Sequence, residues 1–389
     1  MGKLKQVSLV CAGLAGGILI SLQFSAMAEK EVRASLPIEE LRTFAEVFNA
    51  IKQGYVEPIE DKKLITHAIS GMLSNLDPHS SYLDADSFKD LQTSTQGEFG
   101  GLGIEVGMED GLVKVISPIE DTPAYRAGVK SGDLIFKLDD KLVKGMTLTD
   151  AVKRMRGKPK TQIKLSILRK GEAKPIEITL TREVIKVQSV KSKLVEDGYG
   201  YLRITSFQEN TAASVVKHLN DLYKAGSLKG LVLDLRNNPG GLLTAARDVS
   251  DYILPAGPIV TVKDRSGHTE SYDSQGLEKQ IPLVVLINKG SASASEIVAG
   301  AVQDEKAGTI IGTNSYGKGT VQVVLNNLGD QGIKVTIAKY HTPNDRVIDG
   351  IGIKPDITIE LPKGASSEAD DTQLQKAIEV LMTRLQSGK

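Results

Sequence analysis

The run Leu231-Val232-Leu233-Asp234-Leu235 passes without a break into Arg236-Asn237-Asn238-Pro239-Gly240-Gly241, and a second apolar run, Pro282 to Ile287, leads to Gly290-Ser291-Ala292-Ser293-Ala294-Ser295-Glu296. Each is followed by helical periodicity, the first from Leu242 and the second through Ile297, Val298, Ala301 and Val302. With a strand at Gly200 to Ile204 and a helix near Ala212 to Ala225, this alternation predicts an α/β core with mostly parallel strands. Thr309 to Ile311 and Val321 to Leu325 are expected to continue that sheet, and Lys334 to Tyr340 to add a late strand.

The second of these turns carries a candidate nucleophile. Ser293 lies where a strand gives way to a helix, so backbone N–H groups at the helix N-terminus are placed to stabilise an oxyanion. Ser293 and Glu296 also fit a capping box, in which each side chain serves a backbone donor of the first turn, and that reading stays open. Downstream, Gly317-Lys318-Gly319-Thr320-Val321-Gln322 sets a lysine between two glycines, which lets the backbone pass close to a nucleophile. Lys318 and Gln322, four residues apart, are expected on one face of a strand or helix, with Gln322 holding the amine. To accept a proton Lys318 must be neutral, and burial is the means of lowering its pKa.

A histidine base is harder to assemble. None of His67, His79, His218, His268 and His341 falls beside a strand-to-helix serine or in a Gly-x-Ser-x-Gly elbow, although His341 stays open through its closeness in sequence to Lys318. The Asn-Pro-Gly-Gly turn is an ordinary strand-turn-helix connection by itself. Combined with Ser293, it offers the Gly240 amide as a partner to the Ala294 amide, two donors converging on one carbonyl oxygen.

The set Asp234 to Gly241, Ser291 to Glu296 and Gly317 to Gln322 resembles the C-terminal processing (tail-specific) peptidases, and the resemblance extends over nearly the whole mature chain. It implies Ser293 as nucleophile, Lys318 as general base and Gln322 as the residue that orients the lysine. The interval of 25 residues between Ser293 and Lys318 agrees with that family and favours Ser293 over Ser291 and Ser295.

From Gly97 to Arg182 short strands replace the alternation: Gly103 to Val106, Leu112 to Ile116, Asp133 to Leu138, Gln162 to Leu168 and Ile176 to Thr181, with a helix from Thr149 to Arg156. Gly100-Gly101-Leu102-Gly103-Ile104 and the ordered turns after it resemble a PDZ domain. That implies that Gly101, Leu102, Gly103 and Ile104 present N–H groups to a peptide's C-terminal carboxylate while the peptide adds as an antiparallel strand. Before it, Leu41, Phe44, Val47, Phe48 and Ile51 make an apolar helix face, and a second helix is expected from Lys62 to Leu76. The partner of these faces is either a second subunit or the chain's own core. The stripe Leu374, Ile378, Leu381 and Leu385 near the C-terminus is expected to dock onto another subunit or an adaptor protein.

Met1 to Ala28 carries Lys3 and Lys5, no acidic residue, an apolar run from Val7 to Phe24 and the small-x-small pattern Ala26-Met27-Ala28. It reads as a secretory signal peptide of an exported, periplasmic protein, with an uncleaved membrane anchor as the alternative. Cys11, the only cysteine, lies inside it, and bulky Val10 argues against lipid attachment there, so the mature chain is expected to have no thiol chemistry. The 48 basic and 48 acidic residues balance, which does not favour nucleic acid. No zinc or nucleotide motif is present, so no metal and no cofactor is expected.

The expected organisation is a signal peptide at 1–28, a helical region at 36–95, a PDZ domain at 97–182, an α/β serine protease core of ClpP/crotonase type at 183–365, and a tail with a helix at 366–389. The resulting multidomain α/β protein is expected to be a homo-oligomer through its terminal helices. It would be a serine endopeptidase acting on protein substrates with flexible C-termini, in the processing or degradation of envelope proteins. A catalytically silent PDZ scaffold is the competing class. A crotonase-type hydratase or isomerase also uses Gly-rich amides for an oxyanion, but has little need of a PDZ domain or signal peptide.

Overall fold

The computed structural model describes residues 37–119, 121–196, 198–276, 281–362 and 370–386. The segment read as a signal peptide, with Cys11, and most of the polar stretch before the last helix lie outside them. The chain divides into two compact units, Met1–Gly71 and Met72–Lys389.

In the first unit, helix α1 (Ile38–Gly54) begins after Pro37 with Glu39 and Glu40 in its first turn, where the helix dipole favours negative charge. Lys52 near its end donates to Ile59 O at 2.9 Å and pairs with Asp61 at 2.5 Å, which ties the helix to the start of α2 (Asp61–Ser74). The periodicity of α1 is as expected, but among the described residues nothing covers its apolar face: Ile38 is 68% exposed and Val47 54%.

The second unit begins its strands with β1 (Ser81–Leu83), followed by helix α3 (Ala85–Gln96). Asp84 caps α3 by accepting from Ser87 N, and Gly97 closes it in the left-handed conformation. Strand β2 (Glu98–Gly101) leads into an antiparallel domain of β3 (Ile104–Glu109), β4 (Leu112–Pro118), helix α4 (Pro123–Arg126), β5 (Leu134–Leu138), β6 (Lys141–Leu142), helix α5 (Leu148–Met155), β7 (Gln162–Leu168) and β8 (Ile176–Thr181). The sheet order is β3-β4-β5-β7-β8, with β6 hairpinned onto β5. Alternation builds its core: Val113 and Val115 are fully buried on either side of half-buried Lys114, and Ile163 and Leu165 on either side of exposed Lys164. The chain leaves through β9 (Glu183–Lys186), which pairs antiparallel with β2. Entry and exit are therefore zipped together, as befits an inserted domain.

The α/β core follows with β10 (Val190–Glu196), β11 (Tyr199–Ile204), α6 (Thr211–Ala225), β12 (Gly230–Asp234), α7 (Leu243–Asp251), β13 (Gly257–Asp264), β14 (Thr269–Ser274), β15 (Leu283–Ile287), α8 (Ala294–Asp304), β16 (Thr309–Gly312), β17 (Thr320–Leu328), β18 (Gln331–His341), β19 (Ile357–Thr358) and α9 (Thr372–Gln386). Its main sheet runs β10-β11-β12-β15-β16-β19, parallel from β11 onward. Every residue of β12 and β15 is buried, because helices cover both faces. Leu231, Leu233, Leu283 and Val285 pack toward α6, α7 and α8, whereas Val232, Val284 and Leu286 pack with Leu374, Ala377 and Leu381 of α9.

Two expectations are corrected here. The segment from Val321 to Leu325 does not continue the parallel sheet: the place beside β16 is taken by β19, with Ile311 opposite Ile357. Instead β17 and β18 form a hairpin around Gly329 and Asp330, a short Gly-containing connection that favours antiparallel pairing. They belong to a second sheet ordered β1-β18-β13-β14. The C-terminal stripe is covered from within the chain, since Leu374 and Leu381 are almost completely buried on the main sheet, each burial stabilising by about 2 kcal/mol. Nothing can be said of the Leu385 side chain, which lies outside the described residues.

Candidate active site

Ser293 is held at φ 55° and ψ −115°, a left-handed backbone position that side chains other than glycine seldom adopt. It is a strained strand-to-helix turn without the Gly-x-Ser-x-Gly sequence that usually advertises one. Its neighbours hold it there. Ser291 Oγ donates to Leu235 O at 2.8 Å, Ser295 Oγ donates to Asn238 O at 2.9 Å, and the Ala292 amide reaches the same Asn238 carbonyl at 3.0 Å. The flanking serines are buried with their hydroxyls engaged, so Ser293 alone of the three is partly exposed.

Glu296 joins this turn to the lysine segment. It is completely buried; its Oε2 accepts from the amides of Ser293 and Lys318, both at 2.8 Å, and its Oε1 from the Gly317 amide at 2.7 Å and Ser315 Oγ at 2.5 Å. The expected capping box is thus present, and the same carboxylate fixes the loop that carries Lys318. Gly317 and Gly319 serve a different purpose from the one expected. A Cβ on Gly319 would lie 2.4 Å from Asp349 N, and one on Gly317 3.0 Å from the amides of Ile351 and Gly352. These glycines let the loop approach the segment from Asp349 to Gly352, not the nucleophile.

Ser293, Ala294, Gly240, Lys318, Gln322 and Tyr340 line one cavity of about 770 Å³, which Lys334 also borders. Burial, reinforced by the charge of Lys334, pushes the Lys318 amine below its usual pKa, while Asp77 and Glu296 pull it the other way. Lys318 and Gln322 reach this cavity without sharing a strand face, since Lys318 precedes β17 and a bulge at Val321/Gln322 interrupts the alternation. Gln322 Nε2 donates to Thr320 Oγ1 at 2.8 Å and Thr336 Oγ1 at 3.1 Å. Tyr340 brings to the cavity a buried hydroxyl beside Ser293, and burial raises its pKa well above the usual value.

The two expected oxyanion donors differ. Ala294 opens α8. Its amide has no hydrogen-bond partner among the described residues. Gly240, at φ 103°, packs so closely that a Cβ there would lie 2.8 Å from Ser293 Cβ, yet its amide donates to Asn238 Oδ1 at 2.9 Å. Asn238 is itself buried and donates to Ile204 O. In this arrangement one donor is free and the other engaged.

Sequence reasoning passed over the turn from Asp77 to Ser80. Pairing of β1 with β18 sets Ser81 opposite Lys334 and brings this turn to Thr336 and the neighbourhood of Lys318. His79 is held below its usual pKa, first by burial and then by the charge of Lys318. His341 does not line the cavity and has its Nδ1 2.9 Å from Asp345 Oδ1. Helix α3 was likewise missed: Phe88, Leu91, Gln92 and Thr95 line the cavity, while Asp86 and Asp90 pair with Lys153 of α5 and with Arg156 at its C-terminal cap, at 2.8 and 3.4 Å.

In the antiparallel domain Gly101 ends β2 opposite Glu183, Leu102 is buried, and Gly103 lies at φ 75°. A Cβ on Gly103 would meet Thr122 at 2.2 Å, so the loop requires glycine there. Ile104 opens β3, an edge strand whose outer side is unpaired in the sheet. That side suits addition of a peptide strand.

Residues 198–359 match the model of peptidase family S41, residues 100–180 a PDZ domain, and residues 20–87 the N-terminal domain of the activating protease CtpB. A carboxy-terminal-processing protease of Bartonella bacilliformis is 47% identical over 355 residues, covering 89% of this chain and 81% of that protein. The chain belongs to peptidase family S41. CtpA of Bacillus subtilis, a carboxy-terminal processing protease, is 35% identical over 92% of this chain and 78% of its own length. The solved photosystem II D1 C-terminal processing protease superposes with a TM-score of 0.50 at 30% identity, covering 87% of this chain and 96% of that one. As an S41 carboxy-terminal processing protease, the chain is a serine-type endopeptidase carrying a PDZ domain. Among the described residues of this peptidase no group of His, Cys, Asp and Glu is arranged to hold a metal, and no helix is long and apolar enough to cross a membrane.

Proposed function

We propose that this S41 peptidase works through a Ser293/Lys318 dyad. The observation that carries the reading is a half-buried lysine amine, depressed by desolvation, in one cavity with the one serine of its run that is partly exposed and not tied to the buried carbonyls of Leu235 and Asn238. Neutral Lys318 takes the proton of Ser293 as Oγ attacks the scissile carbonyl carbon. The Ala294 amide, joined by that of Gly240 once Asn238 releases it, receives the oxyanion. Collapse breaks the C–N bond, and the Lys318 ammonium gives its proton to the leaving amine. Water then attacks the acyl-enzyme, with Lys318 again taking the proton and returning it to Ser293. Gln322 orients the amine. A serine-reactive phosphonate that labels wild type at Ser293, but not Ser293→Ala or Lys318→Ala, supports this chemistry; undiminished labelling of Lys318→Ala would refute it.

The PDZ domain fits free peptide C-termini, with Gly101 to Ile104 as the carboxylate loop and β3 as the edge to which the peptide adds. Helix α3, with one face on the cavity and the other ion-paired to α5, supports a role for that domain in setting access to Ser293. We place the enzyme in the periplasm, acting on envelope proteins with flexible C-termini, on the strength of the apolar leader with its small-x-small end. An uncleaved leader would keep it membrane-anchored. The uncovered face of α1 supports self-association through the N-terminal helices, and an adaptor protein would compete for that face.

A further inference from the structure

Asp77 makes no ion pair among the described residues, yet it sits in a turn that binds it from several sides. Its Oδ1 accepts from the amides of His79 at 2.7 Å and Ser80 at 2.8 Å, and its Oδ2 from the Ser80 hydroxyl at 2.7 Å. The same Oδ1 also reaches one residue further out. Thr336 is anchored to the turn by its amide, which donates to Ser80 Oγ at 3.1 Å, and by its hydroxyl, which donates to Asp77 Oδ1 at 3.2 Å.

An ionised carboxylate only accepts hydrogen bonds, so the single hydroxyl proton of Thr336 must point at Asp77. Toward Gln322 the same oxygen is then an acceptor, and the Gln322 amide group must present N–H to it. The structure has that arrangement, with Nε2 donating to both Thr336 Oγ1 and Thr320 Oγ1. Both N–H bonds of the amide are thereby used, and the carbonyl oxygen is the end left for Lys318, whose amine always carries N–H to donate. We propose that Asp77 is a positioning residue that sets the direction of the chain Asp77–Thr336–Gln322, so that Gln322 turns its oxygen and not its NH2 group toward Lys318. This inference rests on the Ser293/Lys318 reading. It adds a part of the machinery 241 residues away in sequence from Lys318. Without an acceptor at position 77 the Thr336 hydroxyl is free to turn toward Gln322, which lets the amide flip.

The test uses the full chain and an internally quenched peptide substrate, with Tm measured for every variant. Asp77→Ala is expected to lower kcat by on the order of 10-fold or more, with KM changed less than about twofold, because misorientation of a catalytic group costs turnover and not binding. Asp77→Asn, whose oxygen stays on the turn amides and so toward Thr336, should keep most of the rate. Thr336→Val should behave like Asp77→Ala, and Thr336→Ser, which restores the hydroxyl, should recover most of the rate. In a Gln322→Ala background, Asp77→Ala should cost nothing further. Wild-type kcat in Asp77→Ala, or the same loss with and without Gln322, overturns the proposal. If Asp77→Ala does not fold, the Thr336→Val and Thr336→Ser pair decides the matter alone. A Lys318→Ala enzyme that keeps its turnover sinks the Ser/Lys reading itself, whereas an inactive Lys318→Ala beside a fully active Asp77→Ala sinks only the role of Asp77.

Discussion

The two sheets of the core contribute to one cavity in different ways. The parallel sheet delivers Ser293, Gly240 and Ala294 from two strand-to-helix turns built alike, each at the end of a fully buried strand. The antiparallel sheet and the loop leading into it supply Lys318, Gln322 and Tyr340, with a bulge in β17 at Val321/Gln322 and Thr336 behind Gln322. Glu296 is the bolt between them. The difference teaches that the nucleophile side is rigid by packing, whereas the base side depends on polar contacts for its geometry and on desolvation for its charge state. The chemistry therefore should be more sensitive to small polar changes on the antiparallel side.

The largest effect expected from this contrast is at the dyad. Ser293→Ala and Lys318→Ala should each lower kcat by about 10⁴-fold or more, with the double variant little worse, because members of one catalytic unit are strongly non-additive. Single-turnover assays settle it, and additive losses would mean that the two sheets do not act as one site. Next comes Gly240→Ala, where an added Cβ meets Ala292 O at 2.7 Å and the backbone is already at φ 103°. Turnover should fall by about 10²-fold or more, in line with loss of an oxyanion donor, while substrate binding survives.

The pH dependence tests the electrostatics of the base side. Because burial and Lys334 depress the Lys318 pKa from 10.5, activity should rise with pH through a midpoint below that value, as the amine loses its proton. Lys334→Gln removes a charge that disfavours the Lys318 ammonium, so the Lys318 pKa rises and the limb moves to higher pH, while Lys334→Arg leaves it near wild type. A limb centred near about 6.5 and abolished in His341→Ala would instead make histidine the base.

The smallest effect concerns the link from the PDZ domain. Substrates with free C-termini should be cleaved a few-fold faster than amidated ones at subsaturating concentration, and Lys153→Ala with Arg156→Ala should narrow that gap with little change in Tm. Equal rates for both substrates in the wild type would remove the C-terminal recognition role of Gly101 to Ile104.

Strand and helix periods, and the punctuation of Gly, Pro and Ser between them, determined the parallel half of the core, the PDZ strands and the prominence of Ser293, because each rests on a local pattern of a few residues. The flanking serines show what local pattern leaves undecided: Ser291, Ser293 and Ser295 are alike in sequence, the resemblance favoured Ser293 through its interval to Lys318, and the fold gives the physical distinction by burying the other two against Leu235 and Asn238. The tail stripe of Leu374 and Leu381 is equally legible as an amphipathic helix, yet whether it meets another subunit or its own sheet depends on which surface of that sheet is vacant. The base side was least legible, since a hairpin turn diverted β17 from the parallel sheet and a bulge undid the spacing of Lys318 and Gln322. Tertiary structure alone decided that Asp77 and Thr336, 259 residues apart, share a hydrogen bond, because strand pairing between β1 and β18 joins segments that no periodicity connects.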